Sequence, residues 1–304
     1  MAMVINTNMA ALNAQNSLAS TSKMQSQSME RLTSGLRING ASDDAAGLAV
    51  ATGMSTQIRG TDQAIRNAND GMGLLQTADG ASEEVVSMLQ RMRELGIQSM
   101  NGTYNYDNRK QMDLEFNQLQ KEIQRVADTT KFNGLNIMNA SSFSVYTAGS
   151  VVSAAGLGFS TGMSGLKLQV GWETDSANTM KIALMNFSSL SAIGANITIY
   201  ASGASAFSAN VSMAKSAIAA IDNGLSAIKM MRAGWGSLQN RLDYTVSNLT
   251  NVNENITASR SRIEDADFAK ESANLARTQV LQQAGMSMLS QANANSQNVL
   301  SLLR

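Results

Sequence analysis

Across 304 residues there is no proline. Ordinary usage would place about 15 in a chain of this length, and each one inside a helix would remove a hydrogen bond and clash with the preceding turn. The chain is therefore free to form very long helices, and its apolar spacing predicts several. Ala51, Met54, Ile58, Ile65, Ala68, Met72 and Leu75 recur at intervals of three and four, and Val85, Met88, Met92 and Leu95 continue beyond Gly80. One long helix is expected there, adjusted near Gly80. Met112, Phe116, Leu119, Ile123 and Val126 mark a second, shorter helix, with Asp113, Glu115, Gln118, Lys121 and Glu122 on its solvent side. The longest pattern runs from Val211 through Ile221, Ile228, Trp235, Leu242 and Leu249 to Ile256, about 70 Å at 1.5 Å per residue. Each large apolar residue in such a seam is worth roughly 1.5–3 kcal/mol when covered. The third helix is thus expected to return along the first two.

Both ends carry a thinner stripe. From Leu12 to Leu36 and from Ile263 to Leu303, apolar residues at helical spacing run through sequence rich in Ser, Asn, Gln and Ala. Leu18, Met29, Leu32 and Leu36 share one face, as do Leu281, Ala284, Met288, Ala292, Val299 and Leu303. Neither end can bury such a stripe alone, and an isolated helix of this kind is marginal in water. Two sticky ends with polar backs predict a protein built to assemble.

Lys and Arg number 23, as do Asp and Glu, so the formal net charge is zero. No basic patch points to nucleic acid or an anionic membrane, and no run of about 18 apolar residues points to a bilayer span. Without His or Cys there is no imidazole base, thiol nucleophile or zinc-binding HExxH helix. No catalytic residue, cofactor or metal site is expected. Gly156-Leu157-Gly158 is followed by Thr161 where a nucleotide fingerprint needs glycine. Lack of proline also removes slow cis/trans steps from refolding, and lack of cysteine suits an exported protein as well as a cytosolic one. Met1 to Thr7 has neither a basic nor an apolar signal region, so export, if it occurs, is expected by another route.

Residues 141–208 are rich in Gly, Ser and Ala, with short alternating pieces at Leu166–Val170, Met180–Leu184 and Ile197–Tyr200 that predict a few strands in a small distal region. Ser34-Gly35 and Asn39-Gly40 are stop and turn signals, and Ser42-Asp43-Asp44 is expected to cap the next helix, the hydroxyl as N-cap and the carboxylates on its positive end. A matching charged joint holds Arg260, Arg262, Glu264, Asp265 and Asp267. Arg31 and Arg37 opposite these acids would lock the joint; alternatively it is a solvated linker whose surface pairs contribute about 0–1 kcal/mol each.

The stretch Met29-Glu-Arg-Leu-Thr-Ser-Gly-Leu-Arg-Ile-Asn-Gly-Ala-Ser-Asp-Asp-Ala-Ala-Gly-Leu resembles bacterial flagellin, as do Arg66-Asn-Ala-Asn-Asp-Gly, Lys131-Phe-Asn-Gly-Leu-Asn, Arg262-Ile-Glu-Asp-Ala-Asp-Phe-Ala, Gln282-Gln-Ala-Gly and the ending Asn298-Val-Leu-Ser-Leu-Leu-Arg304. Similarity covers roughly residues 1–140 and 210–304. It implies a mainly α fold: tails 1–43 and 262–304 forming an inner coiled coil, a helical rod from 44–140 and 209–261, and a small β-containing outer region, 141–208. It implies an extracellular flagellar filament subunit, exported unfolded through the flagellum's type III apparatus and polymerised at the tip as its termini fold. Partners implied are other copies of the chain, an export chaperone, the filament cap and hook-filament junction proteins.

The same resemblance implies O-linked sugar on exposed Ser or Thr of the middle region, whereas Asn186-Phe-Ser188 and Asn196-Ile-Thr198 are expected by chance. Some family members are recognised by an animal innate-immune receptor, and Gln90, Arg91 and Leu95, with Glu115 on the partner helix, match that pattern; they equally suit subunit contacts. Ser296 stands where many flagellins carry proline, so a continuous final helix is expected. Met72, Met88 and Met92 at seam positions are read as core filling. A junction piece or surface adhesin of the same tail architecture remains the alternative, for which the middle region is small.

Overall fold

A computed structural model describes residues 8–139, 164–184, 187, 199 and 207–302, with the side chains of all but 164–165, 207–209 and 295–302. Its elements are α1 (Met9–Ser34), α2 (Ala45–Ser99), α3 (Tyr106–Thr129), β1 (Lys131–Phe132), β2 (Leu135–Asn136), β3 (Ser164–Gln169), β4 (Thr179–Leu184), α4 (Phe207–Glu264) and α5 (Phe268–Leu302). The chain forms two compact units, Met1–Arg59 with Val252–Arg304, and Gly60–Asn251. A mainly helical protein with a small β-containing middle is what the periodicity predicts.

In the Gly60–Asn251 unit, burial on α2 follows a register of Thr61, Ala64, Ala68, Gly71, Leu75, Ala78, Ser82, Val85, Leu89, Met92, Gly96 and Ser99, with Leu74 and Leu95 buried beside it. The alternation of three and four never slips, which is the 3.5-residue repeat of helices that wrap around one another. Ala214, Ala217, Ile221, Ile228, Trp235 and Leu242 of α4, with Met112, Phe116, Ile123 and Ala127 of α3, complete the core. The helix passes Gly80 without a break, and no atom lies within 4 Å of a side chain added there. Arg93 meets Asp222 at 2.7 Å and Arg232 meets Asp79 at 2.6 Å. Both pairs fit one antiparallel register of α2 and α4.

β3 and β4 pair antiparallel, Leu166 opposite Ile182 and Leu168 opposite Met180. Two glycines of α2 admit the segment: Leu168 lies over Gly71, and a Cβ on Gly60 would meet the Cβ of Trp172 at 2.8 Å. From the other side Trp235 Nε1 donates to the Ala183 carbonyl at 2.8 Å. Of the third predicted strand, Ile197–Tyr200, only Ile199 is described; it is buried and its N–H donates to Asp113 at 3.1 Å. Asp113 is therefore not a solvated face residue: burial pushes its carboxyl above the ordinary range, against the bonds from Ile199 and Asn117. β1 and β2, unforeseen from periodicity, form a hairpin closed by Asn133 (φ 49°) and Gly134 (φ 79°). The residues Gly156–Thr161, Asn186 and Asn196 lie outside those described.

In the terminal unit α1 and α5 pair antiparallel: Asn8 Nδ2 donates to the Ala292 carbonyl at 3.0 Å, Leu18 packs over Gly285, and Ser28 bonds Glu271. α5 runs through Asn295–Gln297 without interruption, as the serine in place of proline predicts. Leu36, by contrast, lies past the end of α1 and not on its stripe, because Gly35 turns left-handed (φ 72°) and its N–H caps Arg31.

The two glycine environments separate by experiment. Gly60→Ala is expected to destabilise the Gly60–Asn251 unit by about 1–3 kcal/mol, because the Trp172 backbone limits relaxation. Gly80→Ala should stabilise it by about 0.5–1 kcal/mol through helix propensity alone. Urea unfolding followed by tryptophan fluorescence measures both.

Candidate functional site

The seam between α1 and α5 is built from small and polar side chains. On α1 the covered positions are Ala11, Ala14, Leu18, Thr21, Gln25, Ser28 and Leu32; on α5 they are Glu271, Leu275, Thr278, Gln282, Gly285, Leu289 and Ala292. Both repeat at three and four. Of these only Thr21, Ser28, Glu271 and Thr278 are buried. The larger apolar residues stand outside this seam: Met9, Leu12, Met24 and Met29 on α1, and Phe268, Val280, Leu281, Met286 and Met288 on α5, each 46–66% exposed. Of the predicted stripe residues, Leu18 and Leu32 thus face the partner helix, while Met29, Leu281 and Met288 flank the seam and face away. The side chains of Val299 and Leu303 lie outside those described.

A polar lock sits at one end of the seam. The Glu271 carboxylate accepts from Ser28 Oγ at 3.0 Å, Arg31 Nη1 at 3.1 Å and Asn274 Nδ2 at 3.4 Å. Burial pushes its carboxyl up, but the three donors together outweigh burial and hold it below the ordinary range. Leaving either partner alone in this position would cost more than the pair contributes. Glu271 and Ser28 escaped the sequence reading, although polar residues in register with Leu18, Leu32, Leu275 and Leu289 are the signal for such a lock.

Of the predicted joint residues, Arg37 and Asp265 lie in one main-chain clip, and they do not pair as ions. Arg37 N–H donates to the Glu264 carbonyl at 2.6 Å and Ala266 N–H to the Gly35 carbonyl at 2.9 Å, a short clip centred on a Leu36–Asp265 bridge. The Arg37 guanidinium donates to the Ile263 carbonyl at 2.6 Å, not to a carboxylate. Arg31 reaches Glu271 and none of the clustered acids. Asp44 caps α2 by accepting from Gly47 N–H at 2.9 Å, the role expected of Ser42, and Asp267 caps α5 by accepting from Ala269 and Lys270 N–H at 2.9 and 3.2 Å. Asp43 instead accepts from Asn39 and Gly40 N–H and from Gln27; the Asn39 bond leads in holding its carboxyl below the ordinary range. Asp265 accepts from the Ser261 hydroxyl. Arg262 is exposed.

On the Gly60–Asn251 unit, Arg91 bridges Glu115 at 2.9 Å and Glu94 at 3.1 Å, with Gln90 exposed beside it. Leu95 is 1% exposed and fills the core, so it does not project from this face with the other three. The helical spacing that made it a knob points it inward. Among the described residues no group of acids could hold a metal ion, and no helix is long and apolar enough to cross a membrane.

Comparison with known proteins agrees with the resemblance at both ends of the chain. The profile for the bacterial flagellin N-terminal helical region matches residues 5–142, and that for the C-terminal helical region matches 218–303. A flagellin of Halalkalibacterium halodurans is 41% identical over 304 residues, covering 99% of this chain and 100% of that protein. A flagellar filament 33 kDa core protein of Treponema phagedenis is 38% identical over 304 residues, again covering 99% and 100%. The crystal structure of Bacillus cereus flagellin aligns over 60% of this chain and 88% of its own, with 27% identity and a TM-score of 0.45.

The depressed Glu271 carboxyl fixes a pH dependence for the terminal unit. Its contribution is complete above the ordinary glutamate value of 4.5 and is lost as pH falls from there through the lower folded-state value. Wherever α1 and α5 are paired, far-UV circular dichroism of the full chain should show helix loss beginning in that window. Glu271→Gln should lower helicity at neutral pH and make the acid step shallower.

Proposed function

This chain belongs to the bacterial flagellin family and is a structural subunit of a flagellar filament, and on that premise we propose that the outward flanks of α1 and α5 are its assembly surface. The carrying observation is the inversion of the terminal unit: small and polar residues close the helix pair, and nine large apolar side chains are left outside it. Burying each would contribute roughly 1.5–3 kcal/mol, more than the seam itself supplies from Leu18, Leu32, Leu275 and Leu289. Met29, Leu281 and Met288 are the assembly contacts on the described part. Val299 and Leu303 extend the same stripe in sequence, whereas Leu36 is taken up in the clip with Asp265. A head-to-tail contact between unlike surfaces propagates as a helix where its rotation does not close into a ring, as a filament requires.

In this reading the tails, 1–43 and 262–304, form the inner layer, 44–140 and 209–261 the surrounding helical layer, and 141–208 the outer region. Arg31, Arg37, Asp43, Asp44, Arg262, Asp265 and Asp267 hold the joint between the first two. Export is in the unfolded state, to an extracellular flagellum, and the weak tail pair folds as neighbouring subunits cover it. Copies of the same chain are the principal partners, with an export chaperone, the filament cap and junction proteins acting in transit. Gln90, Arg91 and Glu115 form the face that an animal innate receptor would contact on the free subunit.

Seeded polymerisation viewed by electron microscopy tests the reading. Full-length chain should extend filament fragments, and chain lacking Ile263 to Arg304 should not. Full chain that only caps seed ends would favour a junction role. Leu281→Asp with Met288→Asp should slow elongation at least tenfold, since a charge would then have to be buried unpaired, while tryptophan fluorescence of the Gly60–Asn251 unit stays unchanged. For the receptor face, monomeric Arg91→Ala should signal more weakly than the parent, and undiminished signalling removes the basis for it.

A further inference from the structure

Five of the nine large apolar side chains on the outside of α1 and α5 are methionines: Met9, Met24, Met29, Met286 and Met288, 46–65% exposed. Met24 and Met29 lie on opposite flanks of the Thr21–Gln25–Ser28 seam, and Met286 and Met288 on opposite flanks of Gly285–Leu289, so sulfur borders the helix pair on both sides. In the Gly60–Asn251 unit Met92, Met112, Met138 and Met180 are 0–8% exposed, and the exposed Met213 and Met230 lie apart from the α1–α5 flanks. The chain contains no cysteine, so no thiol consumes an oxidant first.

We propose that Met24, Met29, Met286 and Met288 are an oxidative modification site, at which peroxide converts the free subunit to a form that cannot enter the filament. The inference rests on the reading of these flanks as the assembly surface. The Sδ lone pair attacks one oxygen of hydrogen peroxide; the S–O bond forms as the O–O bond breaks, sulfur loses two electrons, and the departing hydroxide takes up the remaining proton as water. Thioether becomes sulfoxide, a polar group with a strong acceptor oxygen. An apolar interface offers that oxygen no donor, so covering it carries a desolvation cost where the thioether carried a gain. Subunits already in the filament have these flanks covered. The susceptible species is the subunit before incorporation.

The test uses full-length monomer treated with hydrogen peroxide, quenched with catalase, mapped by peptide mass spectrometry and then added to filament seeds. Sulfoxide is expected at Met24, Met29, Met286 and Met288 at least tenfold faster than at Met92, Met112 or Met138. Elongation should fall at least tenfold, and methionine sulfoxide reductases acting on both epimers should restore it. Met24→Leu with Met29→Leu, Met286→Leu and Met288→Leu should elongate normally and stay normal after peroxide; preformed filaments should keep the four parent methionines unmodified. The proposal is overturned if monomer oxidised at all four extends seeds at the untreated rate, or if the leucine variant loses elongation to peroxide as fully as the parent. Should the leucine variant not extend seeds even before treatment, the reductase reversal decides: no recovery overturns it. Untreated parent chain that never extends seeds would instead overturn the filament-surface reading, and the order of oxidation would still test the site.

Discussion

Close approach of helices at small side chains governs both units. On α2 the buried register alternates residues such as Leu75, Val85 and Met92 with Ala64, Ala68, Gly71, Ala78, Ser82 and Gly96. Each small position lets a neighbour in: Ile218 against Gly96, Leu168 against Gly71, Trp172 against Gly60. Dispersion falls steeply with separation, so this proximity is what makes a chain with 43% hydrophobic residues and only 5% aromatic ones pack at all. The polar members of the register do not disrupt it, because Ser82 donates back to the Ala78 carbonyl at 2.7 Å and Thr21 to that of Ser17 at 2.9 Å.

The two units apply the same geometry to opposite ends. Around α2, α3 and α4 the three-four register carries enough Leu, Ile, Val, Phe and Trp to form a core without help. Between α1 and α5 the register is given over to Thr, Gln, Ser and a locked Glu271, and the apolar residues move to its flanks. A buried carboxylate with three donors contributes little net stability but penalises any shift of one helix along the other, since a slip strands the charge. The seam therefore specifies how the helices meet and leaves the gain from burial to be collected elsewhere.

Helix number, order and extent were legible because proline is absent and the period of 3.5 is sustained over many turns; the region from Ala45 to Ser99 needed nothing more. Periodicity does not say which of two neighbouring stripes meets a partner. Leu95 and Met29 illustrate this: each sits on an apolar stripe, yet one is 1% and the other 50% exposed. The hairpin at Lys131–Asn136 has strands of two residues, too short for alternation to register, although Asn133-Gly134 is a turn signal in plain view. Charge clustering fell on the stretch where Leu36 and Asp265 meet but did not reveal the chemistry there. Arg37 prefers a main-chain carbonyl, and Asp43, Asp44 and Asp267 prefer N–H groups, because helix ends and turns present unsatisfied backbone groups at closer range than any opposing side chain.

Trp235, bonded through its indole to the Ala183 carbonyl, and Trp172, set against Gly60, belong to the same unit. Met1–Arg59 and Val252–Arg304 contain no tryptophan or tyrosine, and Phe268 is their single aromatic residue. The protein is thus optically divided: near-ultraviolet absorption and emission arise from the Gly60–Asn251 unit, while the termini are visible only through their peptide bonds. A subunit whose ends have melted will look native to a fluorimeter, and one whose ends have just been ordered by a neighbour will report it in helical ellipticity alone.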